Sequence, residues 1–137
     1  MKKTIFLALI AMICSLGVVS AKGLNTIKDK KFTEAVAQAD ADSKILIVDV
    51  YAEWCPPCKF MTANVFPSAD IETLNAKFVL YKLDAEKGEG PELAKKWNIR
   101  GYPTFIFFKN GKEISRHVGG TKTAADFIEI ANKTLSK

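Results

Sequence analysis

Apolar and polar positions alternate along the chain with two different periods, one of strands and one of helices. Four stretches are nearly continuous in apolar residues: Ile5 to Val19, Ile45 to Tyr51, Phe78 to Leu83 and Thr104 to Phe108. The last three are short, rich in β-branched and aromatic residues, and read as buried strands. Around them the apolar positions recur at helical spacing. Phe32, Ala35, Val36 and Ala39 fall at i, i+3, i+4 and i+7, so Asp29 to Ala41 reads as a helix with Asp29 as its cap. A second helix runs from about Pro56 to Asn64, and Pro67 stops or kinks it. Ser68 can cap a short helix from Ala69 to Ala76. Asp84 to Gly90 is charged and glycine-bearing, and reads as loop. Pro91 opens a helix through Trp97, with Leu93, Ala94 and Trp97 on one side. Asn110-Gly111 is a two-residue hairpin signal joining Thr104–Phe108 to a returning strand, Glu113 to Val118. Thr123 caps a last helix, with Asp126 at its N3 position and Phe127, Ile130, Ala131 and Leu135 as its buried face. The alternation of strands and helices implies an α/β fold with helices on both faces of a central sheet. No internal repeat or low-complexity segment interrupts it.

The first apolar run belongs to another category. Lys2 and Lys3 precede it, and Val19-Ser20-Ala21 ends it in small residues suited to signal cleavage. As a helix its fifteen residues rise only about 22 Å, short of a hydrocarbon core of about 30 Å. A cleaved signal therefore fits better than a retained anchor. Cys14 invites a lipoprotein reading, but Ile13 before it is bulky where such cleavage wants a small residue. The expectation is a signal peptide over residues 1–21 and a single domain over residues 22–137. That domain works in a periplasmic or secreted location, where disulfides persist, and has no membrane attachment after cleavage.

Charge narrows the picture only a little. The chain carries 20 Lys and Arg against 15 Asp and Glu, a net charge of +5. The charges are interspersed and form no basic stripe, which argues against nucleic-acid binding. Of three cysteines, Cys14 leaves with the signal. The remaining two are too few for a disulfide-stapled scaffold. A monomer is expected.

Those two cysteines carry the candidate chemistry. In Cys55-Pro56-Pro57-Cys58 they follow directly on a strand and open a helix, since proline is tolerated in a first helical turn. Cys55 then sits at the helix N-terminus, where partial positive charge and unpaired N–H groups favour a thiolate over a thiol. Its pKa is expected below the free value of about 8.5. Cys58 lies one turn on, on the same face, close enough to close a disulfide. Cys55 is read as the exposed nucleophile and Cys58 as the buried resolving thiol. Two other readings stand beside this one. Half of a structural zinc site needs two further ligands, and His117 is the only histidine. A purely structural bridge would close a tiny loop and restrain little of the unfolded chain.

Trp54-Cys55-Pro56-Pro57-Cys58-Lys59 resembles the W-C-x-x-C-K active site of the thioredoxin family. Asp49 falls where that family places a buried acid. Gly101-Tyr102-Pro103-Thr104 is similar to its cis-proline loop, Lys109-Asn110-Gly111 to its last hairpin, and Val118-Gly119-Gly120 to the end of its last strand. The resemblance spans roughly residues 27 to 135. It departs at Pro56-Pro57, where thioredoxins usually have Gly-Pro. It departs again over Thr62 to Asn75, which looks more like secreted thioredoxin-like reductases and the periplasmic C-terminal domain of a transmembrane thiol reductase.

The resemblance implies a thioredoxin fold with a central mixed β-sheet and thiol–disulfide exchange through Cys55 and Cys58, with no cofactor and no metal. It implies that Asp49 lies behind Cys58 with Lys82 on the adjacent strand, and that this pair handles the proton of Cys58. It makes Pro103 cis, bringing the Tyr102 backbone beside the thiols to pair with an extended substrate peptide. Trp54, Pro56 and Gly119 complete the expected substrate surface. Tyr51 and Lys59 flank the thiols with roles open between tuning and ordinary packing, and Glu53 has none. Protein disulfides are the implied substrates and a membrane thiol reductase the implied electron donor. Reduction is favoured over oxidation or isomerisation, because the family's strongly oxidising members carry a histidine between the cysteines. A non-catalytic thiol-ligand metal-binding or interaction module is the reading from another class.

Overall fold

A computed structural model describes residues 23–137; the expected signal peptide lies outside the described residues. Five strands form one mixed sheet: β1 (Thr26–Ile27), β2 (Ile45–Tyr51), β3 (Phe78–Asp84), β4 (Thr104–Lys109) and β5 (Lys112–Val118), in the order β1-β3-β2-β4-β5. The first three are mutually parallel, while β4 runs antiparallel to β2 and β5 antiparallel to β4. The central position of β2 explains its sequence. A strand covered on both faces reads as a continuous apolar run rather than an alternation.

The two faces have separate cores. On one, Ile45, Ile47, Phe78, Leu80, Phe105 and Phe107 pack with Met61, Val65, Ile71, Leu74 and Phe127. These come from α2 (Pro56–Phe60) and its continuation, from a 3₁₀ segment (Asp70–Ala76), and from a C-terminal helix at Ala124–Lys133. On the other, Leu46, Val48, Val50, Ile106 and Phe108 pack with Ala35 and Ala39 of α1 (Phe32–Ala41) and with Leu93 and Trp97 around α3 (Gly90–Lys96). Helices on both faces, the Asn110-Gly111 hairpin with φ of 51° and 72°, and the Thr123 cap on α4 (Ala124–Lys133) all appear as expected.

Four features differ from the sequence reading. Asp29 does not cap α1; it has φ 56° on the approach, and Lys31 is the cap residue. The free N–H groups there find carboxylates instead: Lys31 donates to Glu34 at 2.7 Å, and Phe32 donates to Glu89. Leu135 is 41 % exposed, because α4 gives way to a 3₁₀ turn (Thr134–Ser136) that buries Thr134 in its place. The active-site helix widens into a π turn over Met61–Val65, in which the Phe66 N–H reaches the Met61 carbonyl. Finally, β1 has only two residues and so shows no periodicity. It is fixed by partners distant in sequence: Leu24 N–H donates to the Phe66 carbonyl at 2.9 Å, and Gly23 N–H to Glu72 at 2.9 Å. At Gly23 (φ 87°) a Cβ would lie 2.2 Å from the Phe66 oxygen, so only glycine passes.

Candidate active site

β2 ends at Tyr51 in the centre of the sheet, and the chain must turn over that edge to start α2. Cys55 is where it turns. Its backbone is extended (φ −76°, ψ 112°), and it occupies the N-cap position of α2, with Pro56 and Pro57 in the first turn. The Cys55 N–H donates back to the Ala52 carbonyl at 3.2 Å, and the Cys55 carbonyl accepts from Lys59 at 3.1 Å. Neither proline has an N–H. The first main-chain donor of the helix is therefore Cys58, and it points at the Cys55 sulfur, 3.3 Å away. Cys55 and Cys58 are joined in a disulfide with their Cα atoms 5.3 Å apart, within the usual range for such a bridge.

One expectation fails here. Cys55 is not the exposed partner: it is 2 % accessible and Cys58 3 %. Tyr51 and Tyr102 pack against both sulfurs' residues and against Ala52. The asymmetry between the thiols lies in hydrogen bonding and surroundings rather than in exposure. Cys55 holds the helix N–H, whereas Cys58 borders an open cleft of about 400 Å³ that Thr62 and Lys82 also line.

Asp49 sits two residues before the end of β2, on the α2 side of the sheet, 1 % exposed. The parallel register places Lys82 of β3 directly beside it. Lys82 Nζ stands 3.4 Å from Asp49 Oδ2, an ion pair without a short hydrogen bond to either carboxylate oxygen among the described residues. Burial pushes the carboxyl up from its ordinary 3.8 to about 6, and the Lys82 charge only partly offsets this. The Lys82 ammonium also lies over the Tyr51 ring, 4.6 Å from its centre.

The Tyr102–Pro103 bond is cis, as the resemblance implied. The Pro103 carbonyl accepts from Gly119 N–H at 2.8 Å, tying the loop to the end of β5, where Gly119 has φ 103°. The Thr104 hydroxyl donates to the Gly101 carbonyl at 2.7 Å. Among the described residues no hydrogen bond engages the Tyr102 main chain. Trp54 is 62 % exposed at the rim. Its ring meets Tyr102 edge-on at 6.0 Å, and its Nε1 donates to Glu86 at 2.9 Å. Pro56 is exposed beside it. Tyr102 thus packs at the disulfide and meets Trp54, Pro103 links that loop to Gly119, and Lys82, beside Asp49, lines the cleft that Cys58 borders. His117 is half-buried on β5, opposite Phe105.

The thioredoxin family model matches residues 23–133. The chain is 35 % identical over 108 residues to Thioredoxin-1 of Saccharomyces cerevisiae, covering 74 % of this chain and 90 % of that protein. The chain belongs to the thioredoxin family. Among solved structures, a thioredoxin from Thermus thermophilus superposes with a TM-score of 0.69 at 29 % identity, over 82 % of this chain and 88 % of the other. A putative disulphide-isomerase from Bacteroides thetaiotaomicron superposes with a TM-score of 0.69 at 33 % identity, over 85 % and 97 %. As a thioredoxin, the chain is a thiol–disulfide oxidoreductase whose redox pair is Cys55 and Cys58, acting on protein disulfides.

Two groups at this thioredoxin site escaped the sequence reading. Glu86, which anchors Trp54, lies 32 positions away in a charged loop that gives no local signal. Thr62, which accepts a hydrogen bond from Lys82, did carry one: it lies four residues after Cys58 and so shares its helical face.

The raised Asp49 carboxyl has a consequence for stability. Its folded value lies above its unfolded value, so the folded state binds the proton more tightly between about pH 4 and 6. Stability therefore falls as pH rises through that window and is flat above it. The full cost of ionising the group in the folded protein is about 3 kcal/mol. Asp49→Asn, which stays neutral as the protonated acid does, is expected to stabilise the protein by about 3 kcal/mol at pH 7, with the gain vanishing near pH 4. Urea unfolding at both pH values checks this; equal stability of the two proteins at pH 7 would contradict it.

Proposed function

We propose that this thioredoxin is an exported protein-disulfide reductase. The observation that carries the direction of reaction is the Pro56-Pro57 turn. It leaves one main-chain donor, Cys58 N–H, on the Cys55 sulfur and supplies no charged side chain between the cysteines. A thiolate held by one neutral donor is stabilised enough to attack. It is not stabilised as strongly as in members where a histidine adds charge, and the more the dithiol form is stabilised, the stronger the oxidant.

In the reducing direction the Cys55 thiolate attacks one sulfur of a substrate disulfide. A mixed disulfide forms, and the first substrate thiolate leaves and takes a proton from water. Cys58 then gives up its proton and attacks the Cys55 sulfur. The second substrate thiolate leaves, and the Cys55–Cys58 disulfide of this structure remains. Two electrons pass to the substrate. Asp49 serves as the base for Cys58, reached through a water in the cleft that Cys58 borders. A carboxyl with a value near 6 suits this task close to neutral pH. The substrate peptide lies extended across Pro56, Trp54 and Gly119 and pairs with the Tyr102 main chain.

Export rests on Lys2, Lys3, the Ile5–Val19 run and the small residues before Lys22. A membrane thiol reductase then re-reduces the Cys55–Cys58 disulfide. No described helix is long and apolar enough to cross a membrane. An isomerase is the second reading, because a solved relative at 33 % identity carries that description.

Equilibration with glutathione separates the two. Reduction predicts a potential near that of thioredoxin, about −270 mV, whereas a value at or above about −180 mV would favour isomerisation. Insulin reduction should vanish in Cys55→Ser, which a metal-binding module would not show. Asp49→Asn should slow resolution of the mixed disulfide at pH 7 by about tenfold or more; an unchanged rate would remove Asp49 from the reaction. Export predicts a mature chain beginning at Lys22 in the extracytoplasmic fraction, read by mass spectrometry. An intact chain in the cytoplasm would contradict it.

A further inference from the structure

Lys82 stands between two acceptors, the Thr62 hydroxyl and the Asp49 carboxylate. The register of β2 and β3 sets it beside Asp49 on the same face of the sheet. An ammonium there is free to make a direct charge-assisted hydrogen bond to the carboxylate. It donates to the Thr62 hydroxyl and stands at the longer distance of 3.4 Å from Asp49 Oδ2. The rings of Tyr51 and Phe66, 4.6 and 5.8 Å away, flank it. The side chain is 26 % exposed, so this is a defined seat rather than a solvated lysine.

We propose that Thr62 is a positioning residue for the exchange reaction: its hydroxyl shares the Lys82 ammonium with Asp49 and sets how closely that ammonium approaches the carboxylate. The inference rests on the reading of Asp49 as the base for Cys58 and names the residue that sets its strength. A hydroxyl is suited to the task. It is a neutral acceptor, so it holds the cation without cancelling its charge. A carboxylate at this position would draw Lys82 away from Asp49. An apolar residue would release it to close on Asp49, where the hydrogen bond joins two opposite charges. A carboxylate bonded in that way is held as the anion and is a weaker base.

The groups facing Asp49 are few. Lys82 comes from β3 and the apolar Phe105 from β4. The Tyr51 phenol lies two residues on along β2, and Cys58 of α2 lines the cleft that Tyr51 and Lys82 also line. Glu53 and Lys59 line the outer part of the same cleft. Burial and Lys82 dominate the carboxyl's behaviour. Thr62 acts on the second of these.

The test is the titration of Asp49, followed by carbon NMR of carboxyl-labelled protein in wild type, Thr62→Val and Thr62→Ser. Valine keeps the shape and removes the hydroxyl; serine keeps the hydroxyl. Thr62 is exposed, so both variants should fold, and Thr62→Ala provides the same readout if valine does not. The Asp49 midpoint is expected to fall by about half a unit or more in Thr62→Val and to return to the wild-type value in Thr62→Ser. A midpoint that is unchanged or raised in Thr62→Val, or that serine fails to restore, would overturn the proposal. The pH midpoint of mixed-disulfide resolution should move down with it. If the titration moves and the resolution midpoint does not, Thr62 positions Lys82 as stated and Asp49 is not the base.

Discussion

The Cys58 N–H aimed at the Cys55 sulfur is the contact on which the site depends. It exists because a buried parallel strand ends in mid-sheet and the chain must begin a helix at once. That junction puts Cys55 in the N-cap position, where a side chain normally accepts from a main-chain donor two or three residues on. A serine or aspartate would do so with oxygen; here sulfur takes the place. Two prolines follow, so the helix offers Cys58 as its first donor. With both residues almost fully buried in the disulfide, exposure does not distinguish the two sulfurs. What distinguishes them is that one caps a helix and the other borders a cleft with Lys82 and Thr62.

The rest of the fold supplies the two sides of the reaction. Above the disulfide, the cis Tyr102–Pro103 bond and its tie to Gly119 hold an unengaged stretch of main chain next to the sulfurs. Beside Lys82, which lines the cleft at Cys58, the sheet carries an acid at a position that its packing would otherwise give to an aliphatic residue. Ile45 and Ile47 precede Asp49 on the same face. Burying that carboxylate costs stability at neutral pH, and Lys82 repays only part of it. A destabilising group kept at the centre of a sheet is the kind of exception that function explains better than folding does.

How far the sequence anticipated this follows from range. Elements set by local periodicity or local capping were legible: β2 to β5, the faces of α1 and α3, the Asn110-Gly111 turn and the Thr123 cap. The cysteine pair after a buried strand was legible for the same reason, and the loop at Pro103 became so through the family resemblance. What failed was decided by partners far along the chain. The N-terminus of α1 takes Glu89 rather than Asp29, β1 depends on Phe66 and Glu72, and Trp54 is held by Glu86. The exposure of Cys55 was misjudged because the two tyrosines that cover it, Tyr51 and Tyr102, come from different strand ends. Thr62 carried a positional signal, one turn after Cys58, but nothing in a threonine's identity marks its hydroxyl as a seat for a lysine.

The central claim is that Cys55, held by the helix N–H, is the acidic attacker. Alkylation of the reduced protein across pH, with each cysteine read by peptide mass, tests it most directly. The account predicts that Cys55 is modified first, with a midpoint below the free-cysteine value of about 8.5, and Cys58 only at higher pH. Modification of Cys58 first, or of neither faster than free cysteine at mildly acid pH, would contradict it.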